Sequence, residues 1–296
     1  MAQDQYLIKV GFLVSYDYEF MKNSLPIVYP HADQISFAID KDRKTWNGES
    51  FEIPDTFFDW VKKFDTENKI NIYEDNFYVP SLTAMECDTR ERNLLAEYMG
   101  SDGWHLQIDS DEYFLDFAGF VKYLKALKPE ESTQVYARWI TMYKKNGNDI
   151  FLINTNEVFP VASISPKYKL ARLSDTVNNI YTDFKVLHQS WAREEDEIQL
   201  KLRNWGHNTD FDAESYFRFW KTINKQTYRY AKSFHPLDPW LWPSLEYFEA
   251  EKIEQLIGKV KEFLKRKEEE KKLSEKIKIK DFIPPALYKI KARFSK

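Results

Sequence analysis

The sequence has few of the residues that several common kinds of site require. Its 296 residues include one cysteine, Cys87, and 8 glycines. A single cysteine excludes a disulfide framework and a cysteine-based zinc site, and a reducing cytoplasm is the expected compartment. The few glycines form no Gly-rich phosphate-binding loop. No apolar run approaches the roughly 18 residues of a membrane span, and residues 1–5 are mostly polar, so we expect neither a spanning helix nor a secretory signal peptide.

Aromatic residues and charge are what the chain does have. Its 9 Trp, 18 Tyr and 22 Phe are enough for a sizeable core and exclude disorder throughout. Residues 251–296 carry a net charge of +7, whereas the first 250 residues carry −11. Attraction to phosphate backbones needs a basic face, so we expect no nucleic acid to bind the main body.

Strand and helix patterns alternate through the first half of the chain. Apolar runs that predict strands lie at residues 6–14, 34–39 and 104–108. Apolar residues at helical spacing lie at residues 55–64, 89–99 and 117–127. This alternation favours a mainly parallel α/β sheet.

In the second half of the chain, the sequence predicts strands within residues 135–153 and, after them, two helices. Ser190 is a plausible N-cap for a helix over 191–205, with Gly206 beyond its end and a buried stripe of Ile198, Leu202 and Trp205. Residues 251–280 have the pattern of a long charged helix. The expected organisation is an α/β domain over 1–245, followed by a charged helix and a basic amphipathic tail over 246–296.

Two aspartates, Asp109 and Asp111, directly follow the strand predicted at 104–108. Carboxylates two residues apart at a strand end can converge on one hard divalent cation, Mg²⁺ or Mn²⁺, and leave positions open for diphosphate oxygens. Ligands of open α/β sheets bind at such strand ends. The open alternative is an acidic turn that caps the next helix.

Four elements in order give this pattern a wider context: Ser15-Tyr16-Asp17 after the first strand, Asp40 after the second, an Arg92-Asn93 helix, and Asp109-Ser110-Asp111. Over residues 7–207 this order resembles family 2 glycosyltransferases, which are nucleotide-sugar enzymes with a DXD motif. The resemblance implies the GT-A fold, a Rossmann-like α/β architecture with a mixed sheet flanked by helices, here with a C-terminal helical extension.

The resemblance also implies roles for these residues. Tyr16, in a turn with Ser15 and Asp17, would lie against the nucleobase, and Asp40 would accept its imide N–H. Arg92 would lie near the nucleotide diphosphate. Asp109 would contact the ribose or the metal, and Asp111 would bind the metal directly. Two alternatives stay open, because Tyr16 is also suited to the core and Arg92 to an exposed helix face.

A second segment, from Val186 to Glu197, resembles the acceptor side of these enzymes. His188 would complete the shell of the metal or the diphosphate, and a structural histidine is the alternative. Glu195 or Asp196 would be the catalytic base that takes the acceptor's proton. Their alternative role is electrostatic, because acidic residues stabilise a helix N-terminus.

The expected function is metal-dependent transfer of a sugar from a nucleotide-sugar donor, UDP-linked by default, to a hydroxyl of a glycan or lipid-linked acceptor, with inversion. Mn²⁺ or Mg²⁺ is the implied cofactor. Tryptophans that would stack on acceptor sugars are Trp191, Trp205, Trp240 and Trp242. Two alternatives remain: a non-catalytic sugar- or nucleotide-binding scaffold, and a Mg-dependent nucleotidyltransferase, although residues 11–15 are no Gly-rich loop.

The C-terminal tail suggests a location. Residues 276–296 carry a net charge of +6 with interspersed apolar residues, which suits peripheral contact with an anionic membrane surface from the cytoplasmic side. The alternative is a solvated helix that packs on its own domain or on another subunit.

Overall fold

The computed structural model describes residues 6–129, 132–175, 178–204 and 211–281. Contacts between residues divide the chain into two units, residues 1–249 and residues 250–296. The first unit holds the sheet and the helices that flank it, and the second holds a long C-terminal helix.

One half of the main sheet is parallel. Its strands are β1 (Ile8–Leu13), β2 (Gln34–Asp40), β3 (Ile70–Asp75) and β4 (Trp104–Asp109), in the order β3-β2-β1-β4. The helices between them are α1 (Met21–Val28), α2 (Asp55–Phe64) and α3 (Ala84–Met99). Every residue of β1 is buried, as expected for a central parallel strand covered on both faces.

The other half of the sheet is mixed. After β5 (Glu112–Phe114) and α4 (Phe117–Ala126) come the long strands β6 (Thr133–Asn146) and β7 (Asp149–Ser163). A two-stranded hairpin, β8 (Tyr168–Leu170) and β9 (Leu173–Ser174), precedes β10 (Asn178–His188). Strand β7 runs antiparallel to β4, and the order continues β7-β6-β10-β5. The predicted class, a mixed α/β sheet flanked by helices with a C-terminal helix, is confirmed.

The remaining elements are mostly helical. They are α5 (Glu195–Asn204), α6 (Ala213–Thr222), β11 (Glu246–Glu249), which pairs with β7, and α7 (Ile253–Asp281). Among the described helices, none is both long and apolar enough to cross a membrane. The predicted tail lies mainly in residues 282–296, outside the described residues.

Two hydrophobic clusters hold many of the aromatic residues. The first lies between the parallel strands and helices α1, α2 and α4, and includes Phe12, Phe37, Trp104 and Phe120. The second packs α5 and α6 on β6 and β7, and includes Tyr143, Phe151, Trp191, Trp220 and Trp242.

The helix predicted over 191–205 starts later than expected. Helix α5 begins at Glu195, so Ser190 is not its N-cap. Ser190 instead has a φ of 28°, and the backbone N–H of Trp191 donates to the carbonyl of Met142 at 3.1 Å. This turn fixes Trp191 in the aromatic cluster before the helix begins. Ile198 is buried as predicted, while Trp205, Gly206 and the side chain of Leu202 lie outside the described part.

Helix α3 begins five residues before its predicted start. Thr83 and Glu86 form a capping box, in which the Thr83 side chain accepts from the Glu86 N–H and the Glu86 carboxylate accepts from the Thr83 N–H. Two such donors satisfied reciprocally fix the helix start. The buried face of α3 carries Arg92 towards the ends of β1 and β4.

Candidate functional site

The carboxyl ends of β1, β2 and β4 meet at one edge of the sheet. These strands are parallel neighbours, with Leu13 in register with Asp109. The residues that follow them therefore surround a single pocket, with a volume of about 150 Å³. The predicted site residues among its lining are Ser15, Tyr16, Asp17, Asp40, Asp109, Asp111 and His188. Of the predicted residues, Arg92, Glu195 and Asp196 are not in this lining.

The turn after β4 does not cap the next helix. Glu112 enters the short strand β5, which pairs with the end of β10, so that His188 lies opposite Glu112. The N–H of Gln189 donates to the carbonyl of Asp111 at 2.9 Å. Helix α4 starts later and has its own cap, Asp116, whose side chain accepts from Gly119. The turn therefore holds Asp111 beside the end of β10.

Asp109 lies between two buried arginines. Arg92 of α3 donates to Oδ1 at 3.0 Å, and Arg172, between β8 and β9, donates to Oδ2 at 3.1 Å. Arg92 also pairs with Asp88 at 2.7 Å, and Arg172 with Glu112 at 2.7 Å. Burial opposes ionisation of Asp109, but Arg172 and Arg92 outweigh it and lower its pKa. Asp109 is thus held as a fixed anion.

Arg92 itself is 2 % exposed. Both of its ion pairs are internal, so the alternative of an exposed helix charge is wrong. It lines a second pocket and not the first. Its predicted position near a diphosphate stays a prediction.

Asp111 forms an ion pair with Arg193, a residue for which the sequence predicts no role in the site. Arg193 donates to Oδ2 of Asp111 at 2.5 Å and to Oδ2 of Asp17 at 3.3 Å. Oδ1 of Asp111 faces Nε2 of His188 at 3.7 Å. Burial opposes ionisation of Asp111, but His188, Arg193 and Lys201 lower its pKa. Burial raises the pKa of Asp17, which Arg193 only partly offsets.

His188 lies between the carboxylate of Asp111 and the ring of Trp139. Its ring lies 4.9 Å, centroid to centroid, from the ring of Trp139. Burial lowers its pKa, although Asp111 acts in the opposite sense. The neutral imidazole is the form that binds metal ions.

Asp40 and Tyr16 both line the first pocket. The Asp40 carboxylate accepts four backbone N–H groups at 2.9–3.1 Å, from Asp42, Lys44, Phe77 and Tyr78. These bonds occupy its acceptor sites and hold the loop after β2. Burial, together with Asp17, raises the pKa of Tyr16, which therefore presents a neutral phenol. The predicted nucleobase contacts of both residues stay predictions.

The two candidate bases lie in the first turn of α5 and are exposed. Oε2 of Glu195 lies 2.7 Å from Nζ of Lys221, and Oδ1 of Asp196 accepts from the N–H of Glu197 at 3.0 Å. Neither residue lines either of the pockets described here. The geometry does not bring them to Asp111, and their catalytic role stays a prediction.

A second pocket of about 400 Å³ adjoins the first and shares Trp46, His188 and Lys201 with it. Its walls are largely apolar, and their aromatic side chains include Trp139, Phe159, Trp191, His235 and Trp242. Of the tryptophans proposed to stack on sugars, Trp191 and Trp242 line this pocket, and Trp240 is 83 % exposed. Trp205 lies outside the described residues.

Sequence reasoning missed Arg172, Arg193 and Lys201, which bring positive charge to the site. Lys201 of α5 lines both pockets, and burial together with Arg193 lowers its pKa to about 8. The available signal was weak: Arg193 and Lys201 are basic residues before and after an acidic stretch, and Arg172 follows a short strand.

A divalent cation would find a partial site here. Within the described residues no group of three His, Cys, Asp or Glu side chains is arranged to hold a metal ion. Asp111 and His188 face each other, however, and such a pair suits an ion that takes its other ligands from water and substrate phosphates. The donor set therefore fits an open site and not a closed protein cage.

Comparison with known proteins adds little to this geometry. No protein-family model matches the chain, and no curated protein matches it in sequence. Among solved structures, the chain is similar to the crystal structure of S. aureus TarS 1–349, with 12 % identity and a TM-score of 0.36. That similarity covers 71 % of this chain and 68 % of the other.

Proposed function

We propose that this chain is a metal-dependent glycosyltransferase that moves a sugar from a nucleotide-diphosphate donor to a hydroxyl group. The observation that carries the proposal is the convergence of Tyr16, Asp17, Asp109 and Asp111 on one pocket at the carboxyl ends of adjacent parallel strands, where His188 joins them from the end of β10. This is where open α/β sheets bind nucleotides and related ligands.

The charge balance supports a requirement for a cation. Four basic side chains and five carboxylates surround the turn after β4; they are Arg92, Arg172, Arg193, Lys201, Asp17, Asp88, Asp109, Asp111 and Glu112. A nucleoside diphosphate adds further negative charge to a region that is already near neutrality. Asp111 and His188 would hold Mn²⁺ or Mg²⁺, which neutralises the charge that develops on the leaving diphosphate.

The chain's own residues supply orientation and shape. Arg92 and Arg172 fix Asp109, and Arg193 fixes Asp111, so little rearrangement is required when the donor binds. The ring of Tyr16, whose phenol is neutral, would provide an apolar face for the nucleobase of the donor. The aromatic second pocket suits an acceptor sugar, because the apolar faces of sugar rings pack on aromatic side chains.

Attack by the acceptor hydroxyl from the second pocket, on the face opposite the diphosphate, would give inversion. A carboxylate is required to take the hydroxyl proton, and Glu195 and Asp196 remain the candidates from sequence. Glu195→Gln and Asp196→Asn separate the two. The base variant should lose at least 100-fold in kcat while its affinity for the donor nucleotide is unchanged. Unchanged turnover in both variants would assign the proton to another group.

Calorimetric titration of UDP and GDP, with and without Mn²⁺, tests the proposed function. The wild type should bind one of the two nucleotides, and only when Mn²⁺ is present. In Asp111→Asn, Mn²⁺ should no longer produce this binding. Asp59→Asn, an exposed position on α2, is the matched control, and circular dichroism checks that each variant folds. Binding without turnover of a sugar donor would favour a scaffold. No binding of either nucleotide would refute the proposal.

The acceptor and the cellular location are further parts of this proposal. A glycan or lipid-linked acceptor at an anionic membrane surface would be reached through the tail, where basic residues contribute about 1 kcal/mol each. Co-sedimentation with phosphatidylglycerol vesicles should exceed that with phosphatidylcholine, and changing Lys289, Lys291 and Arg293 to Glu should remove the difference. Equal co-sedimentation with both lipids would contradict membrane contact through the tail.

A further inference from the structure

Lys201 occupies a particular place in the site. It belongs to α5 (Glu195–Asn204), and its side chain lines both pockets, at the junction that it shares with His188 and Trp46. The resemblance described in the sequence analysis assigns no role to this residue. In the proposed reaction the sugar passes from one pocket to the other, so the bond between the sugar and the diphosphate would lie near this junction.

Lys201 also differs from the other basic residues of the site. Arg92, Arg172 and Arg193 each form ion pairs with carboxylates at 2.5–3.1 Å. Lys201 has no hydrogen bond or ion pair to another residue in the part of the chain that the structure describes. Its amine is therefore available to a ligand, whereas the three arginines are committed to holding the protein's own carboxylates.

The charges around Lys201 come from several elements. Arg193 precedes α5, Asp17 follows β1, and Asp109 and Asp111 belong to the turn after β4. Asp109 and Asp111 are already bonded by arginines. A half-buried amine without a bonded counter-ion loses hydration without gaining a partner. An incoming anion would restore that partner.

We propose that Lys201 binds the phosphate oxygens of the donor's nucleoside diphosphate at the junction of the two pockets. This inference rests on the proposed function. An ammonium group is a compact charge with three donors on a flexible stem, and it accommodates phosphate oxygens without the fixed geometry that a guanidinium needs. Lys201 would thus stabilise the charge of the leaving diphosphate beside the Asp111–His188 pair.

The experiment compares a nucleotide with its nucleoside. Uridine diphosphate and uridine, or the guanosine pair if GDP is the ligand of the wild type, are titrated with Mn²⁺ into the wild type, Lys201→Ala and Lys201→Arg. Lys201→Ala should weaken diphosphate binding at least tenfold and leave nucleoside binding within twofold. Lys201→Arg, which keeps the charge, should recover part of the loss. Lys63→Ala removes an exposed lysine of α2 as the matched control and should change neither affinity.

The outcomes separate this inference from the proposed function. If the wild type binds the diphosphate and Lys201→Ala binds it equally well, Lys201 does not contact phosphate, and the proposed function stands. If Lys201→Ala weakens nucleoside and diphosphate binding by the same factor, the residue shapes the pocket and the inference is overturned. If the wild type binds neither nucleotide, the proposed function fails, and this inference fails with it.

Discussion

Glu91 is a buried acid whose removal should change the pH dependence of stability. It lies on α3 and is 6 % exposed, and its Oε2 accepts from Nε1 of Trp46 at 2.7 Å. Burial, together with the neighbouring Asp88 carboxylate, raises its pKa to about 8 despite that hydrogen bond. The perturbation is Glu91→Gln, which keeps the volume and an acceptor for Trp46 but cannot ionise.

The size and sign of the effect follow from linkage. The folded-state pKa is about 8 and the ordinary value is 4.5. Between these values the folded protein holds a proton that the unfolded chain has released, so this group stabilises the fold fully below about pH 4.5, and that contribution is lost as the pH rises to about 8. At about 1.4 kcal/mol per pKa unit, the loss approaches 5 kcal/mol. Because glutamine does not ionise, Glu91→Gln should show no such loss of stability as the pH rises.

Urea unfolding of the wild type and Glu91→Gln at several pH values between 5 and 8.5 measures this difference. The variant should match the wild type within about 1 kcal/mol at pH 5 and exceed its unfolding free energy by about 3–5 kcal/mol at pH 8.5. Glu97→Gln, an exposed position on the same helix, controls for the loss of one negative charge. A difference between the wild type and Glu91→Gln that stays constant across this range would refute the reasoning.

Three further substitutions test the packing, the capping and the ion pairs. In Gly11→Ala, the added methyl would lie 2.8 Å from Cδ2 of Leu95, so we expect a destabilisation of about 1–3 kcal/mol by thermal or urea unfolding, and none would mean that α3 shifts freely. Thr83→Ala removes the capping box of α3 and should cost about 1 kcal/mol, with Thr83→Ser as the control that retains it. Arg172→Met removes the cation that the buried Glu112 shares with Asp109. It should lower the free energy of unfolding by about 3–5 kcal/mol, measured by urea unfolding, and a loss below about 1 kcal/mol would contradict the account of this cluster.

The strands and the sheet edge could be predicted because their signals are local. The apolar run at the start of the chain has the pattern of a strand buried on both faces, and β1 is that strand. Asp109 ends β4 as the polar residue after an apolar run. Parallel strands end at the same edge, so placing Tyr16, Asp40 and Asp109 on separate strand ends was sufficient to bring them to one pocket.

Contacts between distant residues could not be predicted from the sequence in the same way. Arg172 bonds Glu112 across 60 positions, and Arg193 bonds Asp17 across 176. No local pattern distinguishes such an arginine from an exposed one, because its partner is set by how β8, β9 and α5 pack on the sheet. The late start of α5 has the same origin: Trp191 is drawn into the aromatic cluster, and its burial outweighs the cap that Ser190 would provide.

The ion pairs also determine how the site would take up a ligand. Asp111 is held by Arg193 at 2.5 Å and Asp109 by two arginines. A divalent cation that approached alone would compete with these guanidinium groups for the same oxygens, and it would find only Oδ1 of Asp111 and the imidazole of His188 facing each other. A nucleoside diphosphate changes this balance, because its oxygens can complete the coordination of the cation. If the proposed function holds, this arrangement would favour joint binding of cation and nucleotide over binding of either alone, with the arginines keeping both aspartates in position.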